Sequence, residues 1–192
     1  SGAEALEPLG AAAALGSAGA LEALGWHGHV GAVELLLRRA EAGATAAVPA
    51  LQRITGASLT DADPAPEYRA GELPFERATG PIPRADPLSS DPAAWRAWWA
   101  RHGKGARPEV RYRFGHPWSP RDDLAEMQER LSFRRERRLA FLELCARTGA
   151  SAPFDADAFV ARQRKQLEAW AALLQARGGG TGSWPVKLTR WA

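Results

Sequence analysis

The stretch LGWHGHVGAVELLLRR, residues 24–39, places His27 and His29 two positions apart beside Trp26. Imidazole pairs hold transition metals when both rings share a face, which on a helix requires a spacing of three or four. A spacing of two sends the rings to different sides. Neither histidine is followed by Glu, and no second pair exists, because His102 and His116 stand alone, each beside a glycine. The pattern therefore points away from a metal. It assigns His29 to capping a helix that starts near Val30, and His27 to packing with Trp26 at a turn.

Other reactive groups lead to the same reading. No G-x-S-x-G elbow is present, and the single cysteine, Cys145, lies in the apolar run LAFLELCA. Gly178-Gly-Gly-Thr-Gly lacks the lysine and following helix of a phosphate loop. Asp122/Asp123 and Asp155/Asp157 stand where helices begin, so capping accounts for them. No enzyme, no metal and no cofactor are expected.

Charge divides the chain. Residues 1–100 carry 7 Lys/Arg against 12 Asp/Glu, about −5, and residues 101–192 carry 18 against 10, about +8. A basic half attracts nucleic acid or an acidic protein. Arg111, Arg113 and Arg121, with the arginines of residues 133–147, are the candidates for phosphate contact. The basic residues are interleaved with acids and never exceed two in a row, which favours solvated helix faces over a dedicated nucleic-acid site. One cysteine excludes an internal disulfide and fits a reducing compartment, and no apolar segment reaches the roughly 20 residues of a membrane span. A cytoplasmic protein is expected. The opening SGAEALEPLG, without a starting Met or a basic leader, reads as part of a longer chain.

These residues need elements to hold them. Val33, Leu36 and Leu37, then Val48 and Leu51, keep a 3.6-residue period across GAVELLLRRA and AAVPALQRITG, giving short helices joined by glycine turns. Such helices bury their faces only by stacking on neighbours. Residues 57–92 are proline-rich and read as an irregular connection, with Tyr68, Leu73, Phe75 and Ile82 as anchors. Asp91-Pro92 then caps a helix whose Trp95, Trp98 and Trp99 fall on one stripe expected to be buried. In EVRYRFGHPW, Val110, Tyr112 and Phe114 alternate with Arg111 and Arg113, one short extended segment. Ser119-Pro120 opens a helix to about Leu131. Residues 133–147 form another, with Arg134, Arg135, Arg137 and Arg138 outward and Leu139, Leu142 and Cys145 inward. The last helix runs from an Asp155 cap to about Arg177, with Phe154 and Phe159 as a hydrophobic staple. The 178–192 tail docks by Trp184 and Trp191 or frays.

Leu24-Gly25-x-x-Gly28-x-x-x-Ala32-Val33-x-x-Leu36 resembles the bacterial HEAT-type repeat of phycobilisome-lyase-like HEAT proteins, with His29 where that family usually has Asp and His27 where it often has an apolar residue. Ile54-Thr55-Gly56 and Asp91 to Trp99 are similar to the "LTG…DPxxWxxWW" closure of some such arrays. DPAAWRAWWARHG, RYRFGHPWSP and PFDADAFVARQRKQLEAW resemble the C-terminal region of a bacterial HEAT-repeat family found in genomes with type VI secretion clusters. The resemblance implies a mostly all-α fold: the end of a HEAT-like α-solenoid (1–56), the proline-rich connection (57–92), a Trp-rich helical C-terminal domain (93–177) and a tail (178–192). It implies a non-enzymatic protein-binding scaffold. An immunity or adaptor protein for a secreted toxin effector is the sharper alternative, and a nucleic-acid-binding HEAT-like protein the other. The expected partner-binding residues are Trp26, His27, His29, Arg111, Arg113, Arg134, Arg135 and Arg138. A protein partner is expected ahead of nucleic acid, and no membrane.

Overall fold

The computed structural model describes residues 2–60, 88–129 and 134–177, and it is mostly α-helical. The anchors expected within 61–87 and the tail tryptophans lie outside the described residues. In chain order the helices are α1 (Gly2–Ala14), α2 (Ala18–His27), α3 (Val33–Glu41), α4 (Ala47–Thr55), α5 (Pro92–His102), α6 (Pro120–Gln128), α7 (Arg134–Thr148) and α8 (Val160–Arg177). A hairpin of β1 (Tyr112–Arg113) and β2 (His116–Pro117) lies between α5 and α6.

The first four helices form two hairpins, α1–α2 and α3–α4, stacked through α2 on α4 and α1 on α3. A left-handed glycine follows each helix, at Gly16, Gly28, Gly43 and Gly56. Val33, Leu36, Leu37, Val48 and Leu51, the positions picked out by the 3.6-residue period, are all buried. Gly25 lets α2 and α4 cross closely, since a Cβ there would sit 2.8 Å from the Ala50 Cα.

Helix α5 starts as its sequence requires: Asp91 accepts from the Ala93 N–H at 2.9 Å and Pro92 occupies the first turn. It packs on α3 and closes this first core, so the tryptophan helix belongs with the N-terminal helices and not with the C-terminal group. Only Trp95 of its three indoles is fully buried, its Nε1 donating to the Ser89 carbonyl at 2.8 Å. Trp98 and Trp99 pack on the core while keeping part of their surface exposed. The flanks of the proline-rich connection lie side by side: Thr60 bridges Leu88, and Ser89 N–H donates to the Leu59 carbonyl at 2.7 Å.

A second core joins α6, α7 and α8 around Met127, Ala140, Leu144 and Trp170. Two sequence expectations change here. On α7 the inward face carries Ala140, Glu143, Leu144 and Arg147, while Leu142 is 54% exposed and Arg137 turns inward to the Met127 carbonyl and Gln163. Cys145 packs on this core and Arg134, Arg135 and Arg138 are exposed as expected, while Glu143 and Arg147 carry charge to the junction described below. Helix α8 begins at Val160, and Phe159 is 92% exposed, so the expected staple is absent. Phe154 instead packs against Phe141 with the rings tilted and their centroids 5.7 Å apart, and Asp155 accepts from the Asp157 N–H in a local turn.

Candidate functional site

The site is organised by EVRYRFGHPW. Tyr112 pairs with Pro117 and Arg113 with His116, leaving Phe114-Gly115 as a two-residue turn with φ of 48° and 83°. Both values suit the type I′ turn that matches strand twist. Phe114 is the one described non-glycine residue with positive φ, a conformation that costs about 1–3 kcal/mol. The tip is held by the end of α4: Phe114 N–H donates to the Arg53 carbonyl at 2.7 Å and Gly115 N–H to the Ile54 carbonyl at 3.1 Å. One residue pair earlier, Tyr112 N–H donates to the Gly28 carbonyl at 2.8 Å, beyond the end of α2. The hairpin thus supplies donors to helix ends whose last carbonyls have no partner within the helix.

Arg111 extends this capping. Its Nε donates to the His27 carbonyl at 2.9 Å and its Nη2 to the Trp26 carbonyl at 2.6 Å. A guanidinium at a helix C-terminus is favoured by the helix dipole. Its Nη2 also binds Glu143. Arg113, one pleat on, points to the same side and binds Glu126 and Glu143, with Asp123 at 3.6 Å. Arg53 donates to Glu126 at 2.6 Å, and Arg147 to Glu143 at 2.8 Å. Four guanidiniums and three carboxylates therefore meet between the two cores. Trp26 lies against Arg53 at 3.8 Å and Arg113 at 4.6 Å, and Trp118 against Arg111 at 4.7 Å and Arg147 at 5.0 Å. Among the described residues the Arg111 Nη1, Arg147 Nη1, Arg113 Nε and Asp123 Oδ2 have no hydrogen-bond partner, and the three guanidiniums lie over the indole faces of Trp118 and Trp26.

The cluster's electrostatics follow from burial. Burial opposes the charge of Arg113, but Glu143, Glu126 and Asp123 outweigh it and hold its pKa above the ordinary arginine value. Burial would raise Glu143 too, yet Arg113, Arg111 and Arg147 hold it below the usual carboxylate value. Asp123 is pushed up to about 8, first by burial and then by Glu143, against the opposing pull of Arg113 and of the Trp118 Nε1 hydrogen bond.

This geometry corrects the expectation that Arg111 and Arg113 contact a partner or phosphate. Both are 0% exposed and committed to internal carboxylates. The arginine side of the alternation faces inward, because carboxylates on α6 and α7 and carbonyls at the end of α2 lie on that side. His29 is buried as well; its Nδ1 accepts from the Gly31 N–H at 2.9 Å, the capping task an Asp performs at such a position. His27 stacks on it at 6.1 Å. Trp26 is half-buried at the junction. Arg134, Arg135 and Arg138 are exposed on α7, but Arg134 pairs with Asp157 at 2.8 Å and Arg135 with Glu22. The eight expected residues therefore do not converge on one surface.

What the hairpin does present is Tyr112, on the pleat opposite its arginines. Tyr112 forms part of a pocket of about 310 Å³ with Ile54, Thr55, Trp98, Trp99 and His102, closed by Gly115 of the turn. His102 stacks on Trp98 at 4.4 Å, and its Nδ1 lies 2.8 Å from the Trp98 carbonyl. A carbonyl only accepts, so Nδ1 carries the hydrogen. The Tyr112 hydroxyl accepts from the Arg107 N–H at 3.0 Å. The sequence named the two tryptophans but assigned them to the core. Their neighbours come from three separate elements, which no local pattern could unite. Among the described residues no group of three or more His, Cys, Asp and Glu is arranged to hold a metal ion, and no helix is long and apolar enough to cross a membrane. Comparisons with protein-family models, with curated proteins and with solved structures found no match to the chain.

Proposed function

We propose that this protein is a non-enzymatic binding module: stacked HEAT-like helical hairpins whose end is closed by α5 and the β hairpin, and which bind another protein there. The observation that supports it is the aromatic pocket. Trp98, Trp99 and Tyr112 keep exposed surface although large apolar groups are ordinarily covered, and aromatic residues are enriched in protein-binding surfaces. Tyr112 is held by its backbone N–H bond to the Gly28 carbonyl and by the buried arginines on either side. An immunity or adaptor role toward a secreted toxin, in the bacterial cytoplasm, is the sharper form of this reading and rests on the resemblance to HEAT proteins found with type VI secretion clusters. The nucleic-acid reading loses weight, because Arg111 and Arg113 are buried and two of the three exposed α7 arginines are paired.

The test is co-purification of the tagged chain from its native lysate. One protein recovered in stoichiometric amount, and lost when Trp98→Ala is introduced, supports the module. Stoichiometric duplex DNA in its place, released between 50 and 200 mM salt in the steep manner of about 6–10 phosphate contacts, overturns it.

A further inference from the structure

The pocket's rim carries a charge that its floor does not. Between Trp98 and Pro117 the chain holds Arg101, Lys104, Arg107, Arg111 and Arg113 against a single acid, Glu109. The last two arginines are buried in the junction. Arg101, Lys104 and Arg107 are exposed, and Glu109 lies 3.8 Å from Arg107, so three cations against one carboxylate leave the rim about +2. None of the three lines the pocket itself; each is the chain neighbour of a lining residue, Arg101 of His102, Lys104 of Gly105 and Arg107 of Ala106, with the Arg101 Nε donating to the Ala97 carbonyl at 3.2 Å and the Arg107 backbone N–H to the Tyr112 hydroxyl. The floor is mostly aromatic and aliphatic, with Thr55 and His102 as its polar side chains, and the volume is at the lower end of the 300–1,000 Å³ typical of small-ligand pockets. That suits one side chain better than a large ligand.

From the aromatic floor and the basic rim we infer that the pocket receives a single apolar side chain from an acidic segment of a partner protein. Burying one aliphatic or aromatic side chain contributes about 1.5–3 kcal/mol. The rim sets which segment is admitted, because like-charged segments are repelled and acidic ones are steered in. The inference rests on the protein-binding reading and names the chemistry of its partner.

The experiment selects from a phage-displayed library of random dodecapeptides on the full chain. Two variants serve as controls: Lys104→Glu with Arg107→Glu, which changes exposed groups only, and Trp98→Ala, checked by circular dichroism for retained helix. The expected result is enrichment of peptides with Leu, Phe or Trp flanked by Asp and Glu, binding at least tenfold more weakly to each variant. Enriched basic or neutral peptides, no enrichment, or a single-stranded oligonucleotide preferred over every selected peptide would overturn the inference. Peptides that bind both variants undiminished overturn it too, while leaving the protein-binding reading in place. A preferred oligonucleotide overturns the protein-binding reading together with it.

Discussion

Glu143 shows what single residues do in this molecule. Its carboxylate accepts from Arg111, Arg113 and Arg147, so removing its charge strands guanidiniums away from water. Leaving a buried ion without its partner costs about 3–5 kcal/mol, and Glu143→Gln is expected to lose that much in urea unfolding at pH 7. Because the folded-state pKa of Glu143 lies below its unfolded value, its contribution is present above about pH 4.5 and is lost as pH falls through the folded value. The wild type should therefore weaken more steeply on acidification than the variant. Asp123 behaves oppositely. Its pKa is about 8 in the fold against 3.8 unfolded, so the unfolded chain releases the proton first and stability falls as pH rises from about 4 to 8. Asp123→Asn retains an acceptor for Trp118 Nε1 and is expected to gain melting temperature relative to the wild type across that range. A constant difference between pH 5 and 8 would contradict this assignment. The sequence displayed the alternation of Arg111, Tyr112 and Arg113 but not its direction. A Glu within the apolar run LAFLELCA was the available signal, since an acid on a helix's buried face requires a cation, and burying two arginines defies their ordinary preference for the surface.

Glycines govern the fit of the hairpin to the helices. A Cβ at Gly28 would lie 2.3 Å from the Tyr112 carbonyl oxygen, and one at Gly56 would lie 2.2 Å from that of Phe114. Gly43 has a similar φ of 82° with nothing within 4 Å. Gly43→Ala should cost only the backbone term, about 1–3 kcal/mol, whereas Gly28→Ala and Gly56→Ala must also displace the hairpin. Amide hydrogen exchange reads this separately: the Tyr112, Phe114 and Gly115 amides are expected to lose protection in the last two variants and keep it in the first. At this scale the sequence was informative. The helix periods, the Asp91-Pro92 start and the glycine turns follow from local chemistry that the structure repeats. The start of α8 did not, because the Asp155 carboxylate closes a turn of its own and Gln163 takes up the carbonyls of Ala156 and Ala158 in place of helical donors.

The two cores meet through Trp26, which leaves α2 and packs against the second core between Arg53 and Arg113. Trp26→Ala is expected to cost about 3 kcal/mol and to split one cooperative thermal transition into two, read by calorimetry. A single transition of reduced midpoint would show that the ionic junction couples the halves without the indole. Of the site itself, Trp98 and Trp99 were legible as a stripe, but their exposure depends on where Tyr112 and Gly115 come to rest, and that is set by contacts more than fifty residues distant in sequence. Under the proposed function, α5 and the hairpin form the binding end of the molecule. Hydrogen-exchange footprinting of the chain with its co-purified partner tests it most directly. Protection gained at residues 98–106 and 112–116 is the expected result. Protection confined to the outer face of α7, where Arg134, Arg135 and Arg138 are exposed, would contradict it.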